Sequence, residues 1–225
     1  MTKINVYLEL GTKKVFASAL DWPGWSRSAR DEQHALQSLQ NYGQRYTQIT
    51  RGAGIDFQAP KDISQLAVKD RLPGSSTTDF GAPSAIPDSD NRAYELKDLE
   101  FSRALLESCW IAFDNAVQAA TGKELRKSLR GGGRDLKNII AHILEAEQSY
   151  LQKIAWHYRI TKDLSVSEQL IGIRQATLQA LEQSAVAKLP EHGPRGGKLW
   201  PAMYYVRRSA WHILDHAWEI EDRIT

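Results

Sequence analysis

The spacing in this chain that most directly suggests chemistry is His212-Ile-Leu-Asp-His216. Residues four apart stand one above the other on a helix face, so both imidazoles can reach one cation. A third ligand must then come from another helix, and His142 in Ile140-Ala141-His142-Ile143-Leu144 is the natural candidate, because its apolar neighbours turn that face toward a core. A histidine on such a face is also at home as a hydrogen-bonded core residue, so the pair alone is weak evidence; the helical third histidine strengthens it. Neutral imidazoles suit Zn or Ni, with Fe a further option. Three protein ligands leave at least one coordination position open, which marks a catalytic or substrate-binding site.

Two carboxylates share helix faces with these histidines. Glu219 follows His216 by three and Glu145 follows His142 by three. Each is a candidate catalytic residue, as a general base or as an acceptor that orients an imidazole, and the plainer reading is a solvated or ion-paired side chain. Asp215 lies a quarter-turn from His216 and is not expected to ligate. Two glycine-rich basic loops, Arg130-Gly-Gly-Gly-Arg134 and Pro194-Arg195-Gly-Gly-Lys198, precede helical patterns. They read as flexible connectors or as anion-binding helix starts. His157 falls too far past His142 for the same metal, while His34 and His192 read as exposed. Cys109 beside Trp110 reads as core.

The elements that must position these residues fall into two kinds. Ile4 to Leu10 and Lys14 to Leu20 read as strands around the Gly11-Thr12-Lys13 turn, and Asp21-Trp22-Pro23-Gly24-Trp25 must be a loop. Ala35, Leu36, Leu39, Tyr42 and Tyr46 predict one amphipathic helix, and Ile63 to Val68 a returning strand. Pro73 to Asn91 has the Ser, Thr, Gly, Pro and Asp content of a linker. Helical patterns then run over about Glu95 to Ala120, from Asp135 past Leu151, over Ser167 to Ala185, and from Trp200-Pro201 to the C-terminus, which together predict a four-helix bundle. The expected fold is therefore α+β with two domains: a small α/β module over 1–75, a linker over 76–93 and an all-α bundle over 94–225.

Composition narrows the function classes. Hydrophobic residues make up 42% and charged residues 25%, enough apolar surface for a sizeable core. Lys plus Arg number 29 against 27 Asp plus Glu, and this near balance argues against a nucleic-acid reader or a polybasic membrane patch. Tryptophans 22 and 25 around Pro-Gly fit module packing better than a base-stacking platform. A single cysteine excludes an intramolecular disulfide, and no apolar run approaches a membrane span. With no signal peptide evident, a cytoplasmic protein is expected.

Two resemblances sharpen these expectations. Val15-Phe16-Ala17, the Asp21-Trp22-Pro23-Gly24 turn and the helix around Glu32 and Ala35 resemble a HicB-like module. That resemblance implies a protein partner docked through the N-terminal third. Arg134-Asp-Leu-Lys-Asn-Ile-Ile-Ala-His142 with Glu145, and Trp211-His212-Ile-Leu-Asp-His216, resemble the second and fourth helices of DinB-like four-helix bundles. The resemblance implies a divalent metal on His142, His212 and His216. Because that family includes thiol-dependent transferases and isomerases, it also implies a low-molecular-weight thiol or water activated toward a small electrophile. Ala-Trp-Glu-Ile follows His216 where many members continue His-Arg-Gly-like, which touches the substrate and not the metal. Arg134, eight residues or about 12 Å of helix before His142, and Arg207 are the expected anchors for the anionic end of a metal-bound ligand. A homodimer is compatible with this reading. The alternative is a non-catalytic metal-bearing stress or interaction module.

Overall fold

The structure is a computed structural model that describes residues 3–127, 133–161, 163–187, 190, 192–193 and 196–225. Its secondary structure is α+β, with a four-stranded mixed sheet and seven α-helices among the described residues. No described helix is long and apolar enough to cross a membrane. The chain divides into two compact units, Met1–Arg92 with Val206–Trp211, and Ala93–Tyr205 with His212–Thr225.

In the first unit, β1 (Ile4–Leu10), β2 (Val15–Ala19), β3 (Ser26–Ala29) and β4 (Leu66–Pro73) lie in the order β3-β2-β1-β4. The pairs β1–β2 and β2–β3 are antiparallel, whereas β1–β4 is parallel and requires a crossover. Helices α1 (Glu32–Asn41) and α2 (Gly43–Gly52) supply it. Val6, Tyr7, Leu8 and Glu9 are all buried, so the central strand β1 is covered on both faces. Trp25 is fully buried, stacked on Tyr46 and edge-on to Phe57, and its indole N–H donates to the Leu39 carbonyl at 3.0 Å. Gly24 turns the preceding loop with φ 91°, a conformation that side chains rarely adopt.

Three features of this unit differ from the sequence reading. The single helix expected through Tyr46 is interrupted at Tyr42, and the second helix opens on Gly43, where a Cβ would lie 3.1 Å from Ala59 and 3.3 Å from Pro60. The returning strand starts at Leu66, since Asp62 caps a 3-10 turn over Ile63–Gln65 by accepting from the Ser64 N–H at 2.7 Å. The stretch whose composition reads as a linker carries helix α3 (Ser76–Phe80) and a 3-10 turn at Asp88–Asn91. Buried Glu9 accepts from the Ser84 and Ala85 N–H groups at 2.9 and 3.0 Å and from the Thr78 hydroxyl. Buried Asp90 accepts from Arg207 Nε at 2.7 Å and Nη2 at 2.9 Å. Polar anchors hold this segment, and a count of aliphatic residues does not register them.

The second unit is built on α4 (Leu96–Ala120), α5 (Leu136–Gln152), α6 (Val166–Val186) and α7 (Ala202–Arg223). By its residue range, α7 contributes Val206–Trp211 to the first unit and its remaining turns to the second. The ion pairs Arg103–Glu182 and Asp114–Arg174 set α4 and α6 antiparallel. Contacts from Arg134 to Arg223, His142 to His212 and Tyr150 to His212 set α5 and α7 antiparallel. The Arg126 N–H, just past α4, donates to the Arg223 carbonyl at the end of α7 at 2.8 Å, so these two helices end together and the direction sequence is up, down, down, up, which the long connection between α5 and α6 permits. A capping box between Ser165 and Glu168 starts α6, and Asp135 caps α5 by accepting from the Asn138 N–H at 2.8 Å. Leu105, Phe113, Ile139, Ile143, Ile173 and Leu214 are among the residues that fill the core.

Candidate metal centre

The i, i+4 relation on α7 brings the His212 and His216 rings to 4.8 Å between centroids. His142 on α5 completes a near-equilateral arrangement, 5.0 Å from His212 and 5.1 Å from His216. His142 Nε2 and His212 Nε2 are 3.1 Å apart, and the three available ligand atoms lie within 4.8 Å of one another. Two metal–nitrogen bonds of about 2.0–2.1 Å at a tetrahedral angle place their nitrogens about 3.3 Å apart. The His142–His212 pair matches that spacing, and the three ligand atoms together lie close enough to hold one metal ion.

The protonation states also fit. Burial, joined by the Arg134 and His216 charges and opposed by Glu219, pushes the His142 imidazole down to about 4. It is thus neutral near pH 7, the form that ligates. His216 Nδ1 is 2.8 Å from Glu219 Oε2. With the carboxylate as acceptor, Nδ1 carries the proton and the Nε2 lone pair is left for a cation. Burial acts to raise the Glu219 carboxyl, but its bonds to His216 and Arg223 prevail and hold it below its ordinary value. Arg223 donates through Nη1 to Glu219 Oε1, through Nη2 to the Arg134 carbonyl at 2.8 Å and through Nε to the Arg126 carbonyl at 2.8 Å. This arginine ties the end of α7 to the segment that begins α5.

His142 is the least buried of the three histidines and opens onto a cleft of about 670 Å3 lined by Gly133, Arg134, Asn138, Ala141 and Glu145. Two of the sequence-selected side chains, Arg134 and Glu145, therefore stand beside the cluster. Glu145 makes no hydrogen bond to His142 among the described residues, so it is not the group that orients that ring. Glu219 does orient His216. Arg207 is a correction. It lies in the first unit, 5% exposed, where its guanidinium binds Asp90 and donates to the Ala19 and Leu20 carbonyls at 2.6 and 2.7 Å. A guanidinium so engaged is a structural group and not an anchor for a metal-bound ligand.

The remaining candidates lie away from the cluster. The glycine-rich loops fall partly outside the described residues. Their described parts lie at opposite ends of α5: Gly133 and Arg134 precede its N-terminus, whereas Gly197 and Lys198 line a second cleft with Lys153 and His157 past its C-terminus. They do not converge on one ligand. His34 bonds Asp31 on the surface, and His192 is exposed. Cys109 is fully buried, and burial alone drives its thiol well above the ordinary range, which makes it inert.

Sequence reasoning missed three residues at this site. Arg223 had a readable signal, four residues beyond Glu219 on one helix. Asn138 had a weaker one, a turn before His142. Tyr150, whose ring packs 5.6 Å from that of His212, had only its place on α5. No protein-family model, curated protein or solved structure matches this chain.

Proposed function

We propose that the chain is a DinB-like metal-dependent enzyme that activates a thiol or water toward a small electrophilic substrate. The observation that carries this reading is the convergence of His142, His212 and His216 within 4.8 Å, with one ligand facing an open, polar cleft. A divalent cation held by three imidazoles would lower the pKa of a bound water or thiol toward neutrality, supplying a nucleophile at cellular pH.

The protein's own residues have separate roles in this proposal. His142, His212 and His216 hold the cation. Glu219 holds the proton on His216 Nδ1 and fixes that ring, with Arg223 fixing Glu219. Arg134 binds the anionic end of an incoming ligand in the cleft. Glu145, exposed on the same face, accepts a proton from a nucleophile or substrate at the cleft mouth. Imidazoles coordinate in their neutral form, so the charge of a cation held by three of them would be uncompensated and would draw anionic ligands to the open position.

The test is to titrate low-molecular-weight thiols into the cobalt-substituted protein and follow the visible spectrum. A saturable new absorption band is expected, because thiolate coordination changes the metal's electronic transitions. A spectrum unchanged by every thiol tried, in a protein that holds cobalt, would exclude the thiol-activating role.

A further inference from the structure

The cleft past the C-terminus of α5 belongs neither to the histidine cluster nor to the roles assigned above. It lies within the second unit, holds about 660 Å3 and is lined by Ser149, Gln152, Lys153, His157, Gly197 and Lys198, among others. These residues come from the last turn of α5, the segment after it and the stretch that leads into α7. Local geometry builds each wall. Helix α5 closes with the Trp156 N–H donating to the Leu151 carbonyl at 3.0 Å, around Ala155 at φ 59°. That left-handed residue turns the chain, so that His157 lines the same cleft as Gln152 and Lys153. The Gln148 carboxamide then holds the Tyr158 carbonyl at 2.9 Å. In the other wall, the Gly193 N–H donates to the Gly197 carbonyl at 2.8 Å, and His192 pairs with Lys198 as an antiparallel bridge. The Trp200 N–H ties this stretch to the Lys153 carbonyl at 2.7 Å.

The chemistry of these walls has one sign. No acid lines the cleft among the described residues, where Lys153, His157 and Lys198 also have no ion-pair partner and the Ser149 and Gln152 side chains make no hydrogen bond. A lysine at a helix C-terminus is ordinary, since it faces the negative end of the dipole, and that accounts for Lys153. It does not account for Lys198, which lies outside every helix. Gly197 adds a second signal. Its backbone is not left-handed, and a Cβ there would meet nothing within 4 Å, so neither conformation nor packing requires a glycine. The missing side chain leaves open room over a backbone N–H that has no acceptor among the described residues. We infer that this cleft binds a phosphate group, either free or as the ester of a small molecule. Lys153 and Lys198 neutralise the dianion, and the Gly197 N–H, the His157 ring and the Gln152 carboxamide donate to its oxygens. The volume is that of a small-molecule site rather than of a single ion, which leaves room for an organic remainder. Near balance of charge over the whole chain argues against a polyanion. This inference does not depend on the metal-site reading.

The full chain, treated with a chelator so that phosphate cannot ligate a cation at the histidines, is titrated calorimetrically with inorganic phosphate, ribose 5-phosphate and ribose. Saturable binding of one phosphate compound per chain is expected, with ribose inert. Lys153→Gln and Lys198→Gln should each weaken that binding about tenfold or more, with circular dichroism unchanged. Lys69→Gln, a surface lysine on β4, should leave it unaltered, and Arg134→Gln reports on the cleft beside His142. Tighter binding of ribose 5-phosphate than of phosphate assigns an ester as the ligand, whereas equal or weaker binding assigns free phosphate. No saturable binding of either compound, or an affinity that either cleft-lysine substitution leaves within twofold, would overturn the proposal. So would binding lost in Arg134→Gln and kept in Lys198→Gln, which would place the anion in the other cleft.

Discussion

Glu219 gives the clearest case of a side chain acting through another. Its carboxylate fixes His216 and is itself fixed by Arg223, so its removal should act on metal affinity with little effect on folding. Glu219→Gln is expected to weaken zinc binding about 10- to 100-fold, measured by competition with a chelating dye, while the helical circular dichroism is retained. An affinity within twofold of wild type would assign Glu219 a surface role only. Glu147 makes a different prediction. It is buried, accepts from the Trp110 indole at 3.0 Å through Oε1, and has no partner for Oε2 among the described residues. Burial raises its carboxyl from 4.5 to about 7, opposed by Arg174 and the Trp110 bond and aided by Asp114. The folded state therefore keeps a proton that the unfolded state releases between those two values. Glu147's contribution to stability is full below pH 4.5, falls as pH rises toward about 7 and is flat beyond. Glu147→Gln should remove this slope, with a gain over wild type on the order of 3 kcal/mol above pH 7. Urea unfolding at pH 5 and pH 8 measures it, and parallel pH profiles for the two proteins would contradict it.

At the level of elements, α7 carries two unrelated duties on one helix. Its residues Val206–Trp211 belong to the first unit, where Arg207 binds Asp90 and two carbonyls, and its later turns carry two of the three clustered histidines. Arg207→Met leaves Asp90 as an uncompensated buried charge and should cost about 3–5 kcal/mol in chemical denaturation. A loss below about 1 kcal/mol would mean that the pair is not desolvated in solution. The histidine cluster was legible in the sequence because helical periodicity alone stacks residues four apart and because His142 sits in an apolar run. The role of Arg207 was not legible, since a long side chain on a helix reaches in directions that spacing does not encode. The interruption at Tyr42 was not legible either, and the crowding of Gly43 by Ala59 and Pro60 beside it is a contact across sequence. Likewise, the anchoring of Thr78 and Ser84 on Glu9 depends on polar bonds that composition cannot anticipate.

For the molecule as a whole, the pattern of strands followed by helices was readable from hydrophobic periods, and the observed α+β content agrees with it. The assignment of Val206–Trp211 to the first unit was not readable, because the apolar period of α7 runs on unchanged through that segment. Nor was the up-down-down-up order of the bundle, which is set by pairings such as Arg103–Glu182 and Asp114–Arg174. That order places α5 beside α7 and so brings His142 to the pair on α7. The central claim is that these three histidines form one divalent-metal site. Elemental analysis of the full chain, purified without added metal and then reconstituted with zinc, tests it most directly. The expected result is one zinc per chain in the wild type and none retained after gel filtration in the His212→Ala, His216→Ala double variant, with the helical signal largely intact. Undiminished stoichiometric metal in that variant would contradict the assignment.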